Sequence, residues 1–511
     1  MKKIYLSLML ALGLGFLTSC EMDKKPFGSL DETTAIQNVN DLSRFRAGVY
    51  SSLRSMNAGG WITYQDIQMD QFHGLVNNGN RGGNFSNALF TSADGDIESM
   101  FAGCYSRIAK ANYLIDKSAE MAASGLYKDK DADLASINRY KAEGHFLRAY
   151  SYFFLADHFS QPYAEVDPTQ DGTGAMIVTH YNPTGDINAY PSRSSLAETY
   201  ALIESDLQAA YEGLVAYEKT DASNVAPNAI YLSSYAVAAM QARVALVKGD
   251  YATAFAKAKS VIDSNVYTLA TLENYADMWV NDANSEVIML AYMSKEEGLA
   301  STGSTYTAST TETQADYIPT CGTLLNYLQV DGDIRFNTYF KVWNLDVEGS
   351  DYQAYVFLKY PGNPALRTTE ENNYVNMPKV FRLSEMYLIA AEAACFVPEA
   401  NGNVYLNALR ANRIKNYSAV NYNSDILLSE VKKERELELL GEGFRMSDLR
   451  RWNMGFSRYA SHDENPALNN VVVAAGRSMT YANDDHRFTW PIPKTEMDAN
   501  PNLKGQQNVG Y

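Results

Sequence analysis

Apolar residues recur at helical spacing along most of this chain, and that periodicity constrains the fold more than any other feature. Ile97, Phe101, Cys104, Ile108 and Ile115 follow one another at intervals of three, four or seven residues, which places them on one helix face. The same pattern predicts helices over about residues 40–56, 146–154, 195–217, 227–248, 251–262, 380–396, 404–414 and 429–440. The sequence therefore predicts a mainly all-α protein.

A glycine turn joins two of these helices into a pair. Gly249 separates them, with Ala238 and Ala242 before it and Ala254 and Ala258 after it. Small residues at this spacing let antiparallel helices approach closely, as in a tetratricopeptide repeat. Because the pairs are degenerate and interrupted, we predict one helix-pair scaffold with long, loop-rich insertions.

Two insertions interrupt the helical pattern, over about residues 57–94 and 267–377. The first contains an Asn- and Gly-rich run that is typical of turns, and the second is rich in aromatic residues. The chain has 36 Tyr against 20 Phe and 5 Trp, and Tyr can keep its polar tip in water. Long aromatic loops are more often functional than disordered, so we expect the insertions to meet above the scaffold as a binding face.

The N-terminus has the form of an export leader. Lys2 and Lys3 precede an apolar stretch over residues 4–17 that is too short to span a membrane, and Cys20 follows at its end. This pattern resembles a lipoprotein signal peptide over residues 1–19, in which Cys20 is lipidated and becomes the new N-terminus; an ordinary secretory leader is the alternative. Residues 20–511 are then a single domain tethered to a membrane, and the acidic residues just after Cys20 resemble a surface-export signal.

Composition and motifs exclude several functions. With 43 basic and 60 acidic residues the net charge is −17, so nucleic acid is not an expected partner. The three cysteines after Cys20 are widely spaced and favour neither a disulfide framework nor a metal site, and no cofactor motif occurs. Asp94, Asp96 and Glu98 could supply a glycosidase carboxylate pair, but an acidic helix N-terminus is the simpler interpretation. We do not expect an enzyme.

The C-terminal part carries the most specific motifs. Residues 379–393 read KVFRLSEMYLIAAEA, residues 434–452 are a charged helix and turn, and residues 490–511 contain WPIP and QNVGY. Residues 142–150 resemble a further helix of the same family, although Gly144 and His145 differ from the usual family residues. Together these segments resemble the SusD/RagB family of outer-membrane nutrient-binding lipoproteins. Residues 378–511 are the signature region, and the resemblance covers nearly the whole mature chain.

The alternating charges of this signature region predict architecture and not a ligand site. Oppositely charged side chains fall within one turn region, where they can pair and fix a helix-to-loop junction. They are Glu434, Arg435, Glu438, Arg445, Asp448 and Arg451. We expect Arg382 and Glu385 to join similar pairs.

The family resemblance implies a lipoprotein of the outer membrane, facing the cell exterior, that binds an oligosaccharide and caps a SusC-like TonB-dependent transporter. Sugars present apolar faces and hydroxyl groups, which are bound by aromatic platforms and by planar polar side chains. The insertions contain such residues, and the candidate ligand-binding set is Trp61, Tyr64, Asn77, Asn78, Arg81, Tyr317 and Trp343. The same scaffold could instead bind oligopeptides, serve as a plain adaptor or, less readily, carry a glycosidase site.

Overall fold

The structure is a computed structural model, and it describes residues 35–297, 301–307, 310–459 and 461–511. The predicted signal peptide, residues 1–19, and Cys20 lie outside these ranges. In the described residues helices outnumber strands, and the strands are short, so the mainly α-helical fold is confirmed.

The helices are α1 Val39–Met56, α2 Gly60–Ile67, α3 Gly83–Ser86, α4 Gly95–Ala123, α5 Asp131–Phe159, α6 Leu196–Glu218, α7 Ser234–Lys248, α8 Tyr251–Asp263, α9 Tyr275–Asn281, α10 Ser304–Thr307, α11 Cys321–Leu328, α12 Ile334–Tyr339, α13 Leu383–Ala393, α14 Gly402–Ala411, α15 Ser424–Glu438, α16 Arg445–Arg451, α17 Ala474–Arg477 and α18 Lys494–Ala499. The strands are β1 Phe72–Gly74, β2 Val287–Leu290, β3 Tyr317–Pro319, β4 Phe340–Val347, β5 Ser350–Phe357, β6 Lys379–Arg382, β7 Phe456–Arg458 and β8 Met479–Tyr481. Short 3-10 helices lie at Ile187–Ala189, Pro364–Leu366, Pro466–Asn470, His486–Phe488 and Pro501–Leu503.

Packed helices form the scaffold. Helices α4 and α5 have 29 residues each and lie side by side, α6 packs on α5, α7 packs on α6 and α8, and α13 packs on α8 and α14. Gly249 ends α7 with a φ of +87°, a conformation that favours glycine, and the alanines on either side of it are buried between α7 and α8. None of the helices in the described ranges is long and apolar enough to cross a bilayer.

Two helices begin later than the sequence predicts, and α15 begins earlier, at Ser424 and not at residue 429. The helix predicted from Pro227 begins at Ser234, because Asn228 adopts a φ of +62° and the Ser233 hydroxyl caps the helix by accepting the Ala236 N–H. The helix predicted from residue 380 begins at Leu383. The residues before it form β6, which pairs antiparallel with β2.

Both insertions contain more regular structure than the sequence predicts. Residues 57–94 include α2, β1 and α3, and the second insertion includes an antiparallel hairpin of β4 and β5. Glu348 and Gly349 make its two-residue turn with φ values of +53° and +78°. One face of the hairpin packs into a second apolar cluster, separate from the scaffold core, which we call the insertion core. Its members include Leu75, Ala315, Ile318, Trp343, Leu345, Val347, Ala354, Val356, Tyr374, Leu468, Val471 and Val472.

A set of buried ion pairs, which we call the charge network, joins the signature region to the second insertion: Arg335, Arg382, Arg413, Glu286, Glu438 and Glu442. Glu438 lies at its centre and accepts hydrogen bonds from Arg382 at 2.8 Å, Arg413 at 2.9 Å and Arg335 at 3.1 Å. Burial opposes ionisation of Glu438, but the three guanidinium groups outweigh it and hold its pKa well below the usual range. Arg382 joins this network, whereas Glu385 pairs with Arg243 at 2.6 Å.

Candidate functional site

The two insertions meet through a short antiparallel pairing of β1 with β3. Phe72 lies opposite Pro319, and Gly74 lies opposite Tyr317. Leu75 and Ile318, one from each insertion, extend the contact into the insertion core. This junction brings most of the candidate ligand-binding residues into one region.

Two of the candidate aromatics have no exposed face in this region. Tyr317 is fully buried and its hydroxyl donates to the Arg81 carbonyl oxygen at 2.6 Å. Trp343 lies on the inward face of the β4–β5 hairpin, opposite Ala354, and is 6% exposed. The prediction of an exposed stacking platform is corrected for both rings, because each fills space between the insertions and neither is open to a ligand.

The two candidate asparagines shape the loop after β1. Asn78 is buried and its side-chain oxygen accepts the Asn80 N–H at 2.8 Å, which fixes a turn. Asn77 is exposed and its amide donates to the Asp346 carbonyl oxygen at 3.4 Å, so it ties this loop to the hairpin. Asn77 therefore keeps an accessible amide, whereas Asn78 supports the loop.

Tyr64 and Arg81 belong to a polar group at the surface, which we call the Tyr64 cluster: Tyr64, Arg81, Asn84, Asp94 and Asp96. The half-buried Tyr64 ring stacks on Phe85, with centroids 4.6 Å apart and planes inclined by 21°. Burial, then the charges of Asp96 and Asp94, raise the pKa of Tyr64 to about 12, so its hydroxyl stays protonated.

Two carboxylates and a guanidinium group lie near this hydroxyl, and an amide binds one of the carboxylates. Asp94 caps α4 by accepting the Asp96 N–H at 3.0 Å, and its other oxygen accepts from the Asn84 amide at 2.5 Å. Arg81 is half-exposed, lies 2.9 Å from Asp316 and donates to the Ser304 carbonyl oxygen at 3.2 Å. Asp96 and Asn84 are exposed. The cluster thus offers donors and acceptors around one aromatic ring.

Asn84 and Asp96 belong to this cluster although neither is among the candidate ligand-binding residues of the sequence. The sequence predicts Asp96 only as an acid of a glycosidase pair or of a helix N-terminus, and Asp94 is the N-cap of α4. The sequence does show polar side chains in the Asn- and Gly-rich run and, ten residues later, at the acidic start of a helix. The sequence does not show that these two segments are in contact. They meet because the chain turns at Gly82, which has a φ of +65°.

Trp61 lies apart from the Tyr64 cluster, one helical turn earlier on α2. Its ring packs against Phe154 with centroids 4.8 Å apart, and the Arg107 guanidinium lies 4.4 Å from the ring centroid. Trp61 therefore anchors the first insertion on the long helices α4 and α5. It also lines a cavity inside the scaffold.

The fold and the polar face between its insertions define a helical binding protein, and comparison with known proteins gives the family. The SusD family model matches residues 337–511, and a model described as starch-binding associating with outer membrane matches residues 22–246. The chain belongs to the SusD/RagB family, as the sequence motifs predict.

Relatives of known sequence or structure resemble the chain over its whole length. A SusD-like protein of Formosa agariphila is 24% identical, and the alignment covers 100% of this chain and 99% of the relative. A SusD superfamily protein of Bacteroides thetaiotaomicron is 25% identical, with a TM-score of 0.76 over 92% of this chain and 100% of that one. A protein of Bacteroides vulgatus with a proposed sugar-binding role is 28% identical, with a TM-score of 0.75 over 94% and 100% of the two chains.

Proposed function

We propose that this protein binds a neutral oligosaccharide at the Tyr64 cluster and delivers it to a SusC-like TonB-dependent transporter in the outer membrane. The observation that carries the ligand class is the Tyr64 cluster itself, in which a half-buried tyrosine lies near a guanidinium and two carboxylates, one of which binds an amide. The description of the family model, starch binding in association with the outer membrane, supports the same class.

The chemistry of the cluster suits sugar hydroxyls. A hydroxyl group both donates and accepts, so it can satisfy the Asp96 carboxylate and the Arg81 guanidinium at the same time. The tyrosine ring offers an apolar surface for the C–H face of a sugar. Contacts at a solvated face contribute about 1 kcal/mol each, so a single site should bind with a Kd in roughly the micromolar to millimolar range.

Binding of soluble neutral glycans, measured by calorimetry, tests this site. Arg81→Ala and Asp96→Asn should each weaken binding by ~1–2 kcal/mol, because each removes a charged partner of the hydroxyl groups. Arg44→Ala is the matched control: Arg44 is an exposed arginine on α1, outside the insertions. Unchanged affinity in both cluster variants would move the site elsewhere, and a screen that returned only peptide ligands would replace the glycan by an oligopeptide.

Delivery to a transporter is the second part of the proposal and has separate support. It rests on family membership and on the predicted lipidation of Cys20, which would hold the protein at the outer membrane with its domain facing the cell exterior. Affinity purification from native membranes in mild detergent should recover a TonB-dependent barrel with the protein. Cys20→Ala should release the protein from the outer-membrane fraction. Recovery of the lipoprotein alone would contradict the complex, and a membrane-bound Cys20→Ala variant would contradict the lipid anchor.

A further inference from the structure

Two buried histidines join the first insertion to the C-terminal part of the chain. His73 lies on β1, and His462 lies in the segment between β7 and β8. Both side chains are at least 99% buried. His73 Nδ1 lies 2.8 Å from His462 Nε2, and the two rings meet edge to face with centroids 4.9 Å apart. Next to this contact the Val473 N–H donates to the Gly74 carbonyl oxygen at 2.8 Å, so the histidines are part of a wider junction.

The outer nitrogen of each ring faces an oxygen that can only accept a hydrogen bond. His73 Nε2 lies 2.9 Å from the Arg477 carbonyl oxygen, and His462 Nδ1 lies 3.0 Å from a Glu464 side-chain oxygen. Burial opposes ionisation of Glu464, but hydrogen bonds, foremost that from His462, outweigh burial and lower its pKa, so this side chain is a carboxylate at neutral pH. The two rings therefore make three close contacts in a row, with an acceptor at each end.

This row of contacts needs more protons than two neutral histidines carry. Three hydrogen bonds require three protons, whereas two neutral imidazoles supply two. Burial, the charge of His462 and that of Arg458 lower the pKa of His73 to about 3, so the third proton does not reside on His73. The Glu464 carboxylate favours a positive charge on His462 instead. The contacts therefore require that both ring nitrogens of His462 are protonated.

The other charged and titratable residues around the two rings come from β3, β7, α11, α17 and the segment that contains His462. They are Tyr317, Arg458, Tyr459, Cys321, Arg477 and Asp463. Arg458 opposes a charge on His73, and burial raises the pKa of the Cys321 thiol, which stays protonated. Asp463 is exposed and accepts a hydrogen bond from Ser461. Glu464 is therefore the carboxylate that contacts His462 directly.

We propose that His73, His462 and Glu464 form a proton-dependent clasp, which fastens residues 461–470 to the first insertion and opens when His462 releases a proton. The proton leaves His462 Nδ1 for solvent through Glu464, whose side chain is 29% exposed. A lone pair of the bare Nδ1 then faces the carboxylate, and their repulsion turns Glu464 towards water. The clasp is independent of the proposed glycan site.

Neutron diffraction from crystals of the unmodified protein at pH 7.5 locates the ring protons directly and does not depend on how any variant folds. A free imidazole is half protonated near pH 6.5, so it is mostly neutral at this pH. We expect deuterium on both ring nitrogens of His462, and on Nε2 but not Nδ1 of His73. A bare ring nitrogen on His462 would overturn the proposal.

Two carboxylate variants test the role of Glu464. In Glu464→Gln the amide oxygen can still accept from His462 but carries no charge, so His462 should lose its second proton at a pH about one unit lower than in the parent protein. Asp463→Asn removes the same charge from the exposed neighbour and should change this pH by less than about 0.3 units. Nitrogen-15 NMR of the histidine rings measures both changes. Equal changes in the two variants would contradict the direct contact on which the clasp depends.

Hydrogen–deuterium exchange measures whether the clasp opens. After correction for the intrinsic pH dependence of exchange, the protection of residues 461–470 should fall at least about threefold between pH 7 and pH 9, whereas that of α4 should not change. In His462→Gln, which cannot take up the proton, protection should already be low at pH 7 and should then stay constant. Protection of residues 461–470 that does not change with pH in the parent protein would overturn the proposal. None of these measurements contains a glycan, so their outcome is separate from that of the proposed function.

Discussion

The charge network and the insertion core are both buried, but the first is held by ion pairs and the second by apolar packing. In the network, Arg335, Arg382 and Arg413 converge on Glu438, and every member depends on the presence of the others. In the insertion core, apolar side chains such as Trp343 and Ile318 fill space, and another apolar residue of similar volume and shape could replace each of them. A buried charge demands a specific partner, whereas apolar packing demands only shape.

This difference accounts for where the family motifs lie. Residues of the network cannot change singly without leaving a charge buried and unpaired, so they form fixed patterns such as the one around Arg382 and Glu438. The Tyr64 cluster lies at the surface beside the insertion core, where a substitution costs little stability. Residues of the charge network are therefore held by their partners, whereas folding constrains the exposed residues of the Tyr64 cluster less.

The largest expected effect is the loss of the central carboxylate of the network. Glu438→Ala should lower the free energy of unfolding by about 5 kcal/mol or prevent folding, because three buried guanidinium groups lose their shared partner. Urea unfolding followed by circular dichroism measures the change. The control is Asp498→Ala, which removes an exposed ion pair with Lys494 and should cost less than ~1 kcal/mol. If Glu438→Ala and Asp498→Ala lower the free energy of unfolding by similar amounts, the charge network is no more important for stability than an exposed ion pair.

Removal of an aromatic ring from the insertion core should cost somewhat less. Trp343→Ala should lower the free energy of unfolding by ~3–5 kcal/mol, because it empties a closely packed site. Val342 is the neighbouring residue on the exposed face of β4, so Val342→Ala should change stability by less than ~0.5 kcal/mol. A Trp343→Ala variant as stable as Val342→Ala would show that Trp343 is a surface residue in solution and would restore it as a candidate platform.

Low pH should destabilise the folded protein through His73, which lies on β1 in the first insertion. Burial, with the nearby His462 and Arg458, lowers the pKa of His73 to about 3. The unfolded chain takes up a proton near pH 6.5, whereas the folded chain does not, so stability falls as the pH decreases from about 6.5 towards 3.

His73→Gln should remove this contribution, which is about 1.4 kcal/mol per pH unit. Unfolding measured between pH 7 and pH 4.5 should therefore decline less steeply for the variant. His158 on α5, whose pKa burial lowers to about 4, provides the matched comparison within the scaffold. If the His73→Gln curve runs parallel to that of the parent protein, the titration of His73 does not control acid stability.

The sequence predicts the scaffold better than the site for a physical reason. Helical periodicity is local, so the residues from Ile97 to Ile115 and the turn at Gly249 already specify their elements. Helix α7 begins later than Pro227 predicts, because the left-handed backbone at Asn228 and the cap at Ser233 outweigh the preference of Pro227 for a first helical turn.

The site depends on contacts between distant segments, which periodicity does not report. Tyr317 and Trp343 have the right residue types for a sugar platform, but the β1–β3 pairing and the β4–β5 register direct both rings inward. Asp96 becomes a partner of Tyr64, and Asn84 a partner of Asp94, only after the first insertion folds back on the start of α4. Residue type alone therefore selects the accessible Tyr64 and Arg81 together with the buried Tyr317 and Trp343 and does not distinguish them.

The smallest expected effect on stability, and the one that separates binding from folding, is that of Arg81→Ala. Arg81 is half-exposed, so loss of its ion pair with Asp316 should cost less than ~1 kcal/mol. Burial raises the pKa of Asp316 to about 6, and Arg81 opposes that rise, so the variant should have a still higher Asp316 pKa. When the pKa of an acid is higher in the folded than in the unfolded protein, the protein loses stability as the pH rises from the lower pKa to the higher one. The stability lost through Arg81→Ala should therefore be greater at pH 8 than at pH 5. A loss of stability like that of Trp343→Ala would place Arg81 among the structural residues, and any loss of glycan binding in the variant would then report folding and not contact with the ligand.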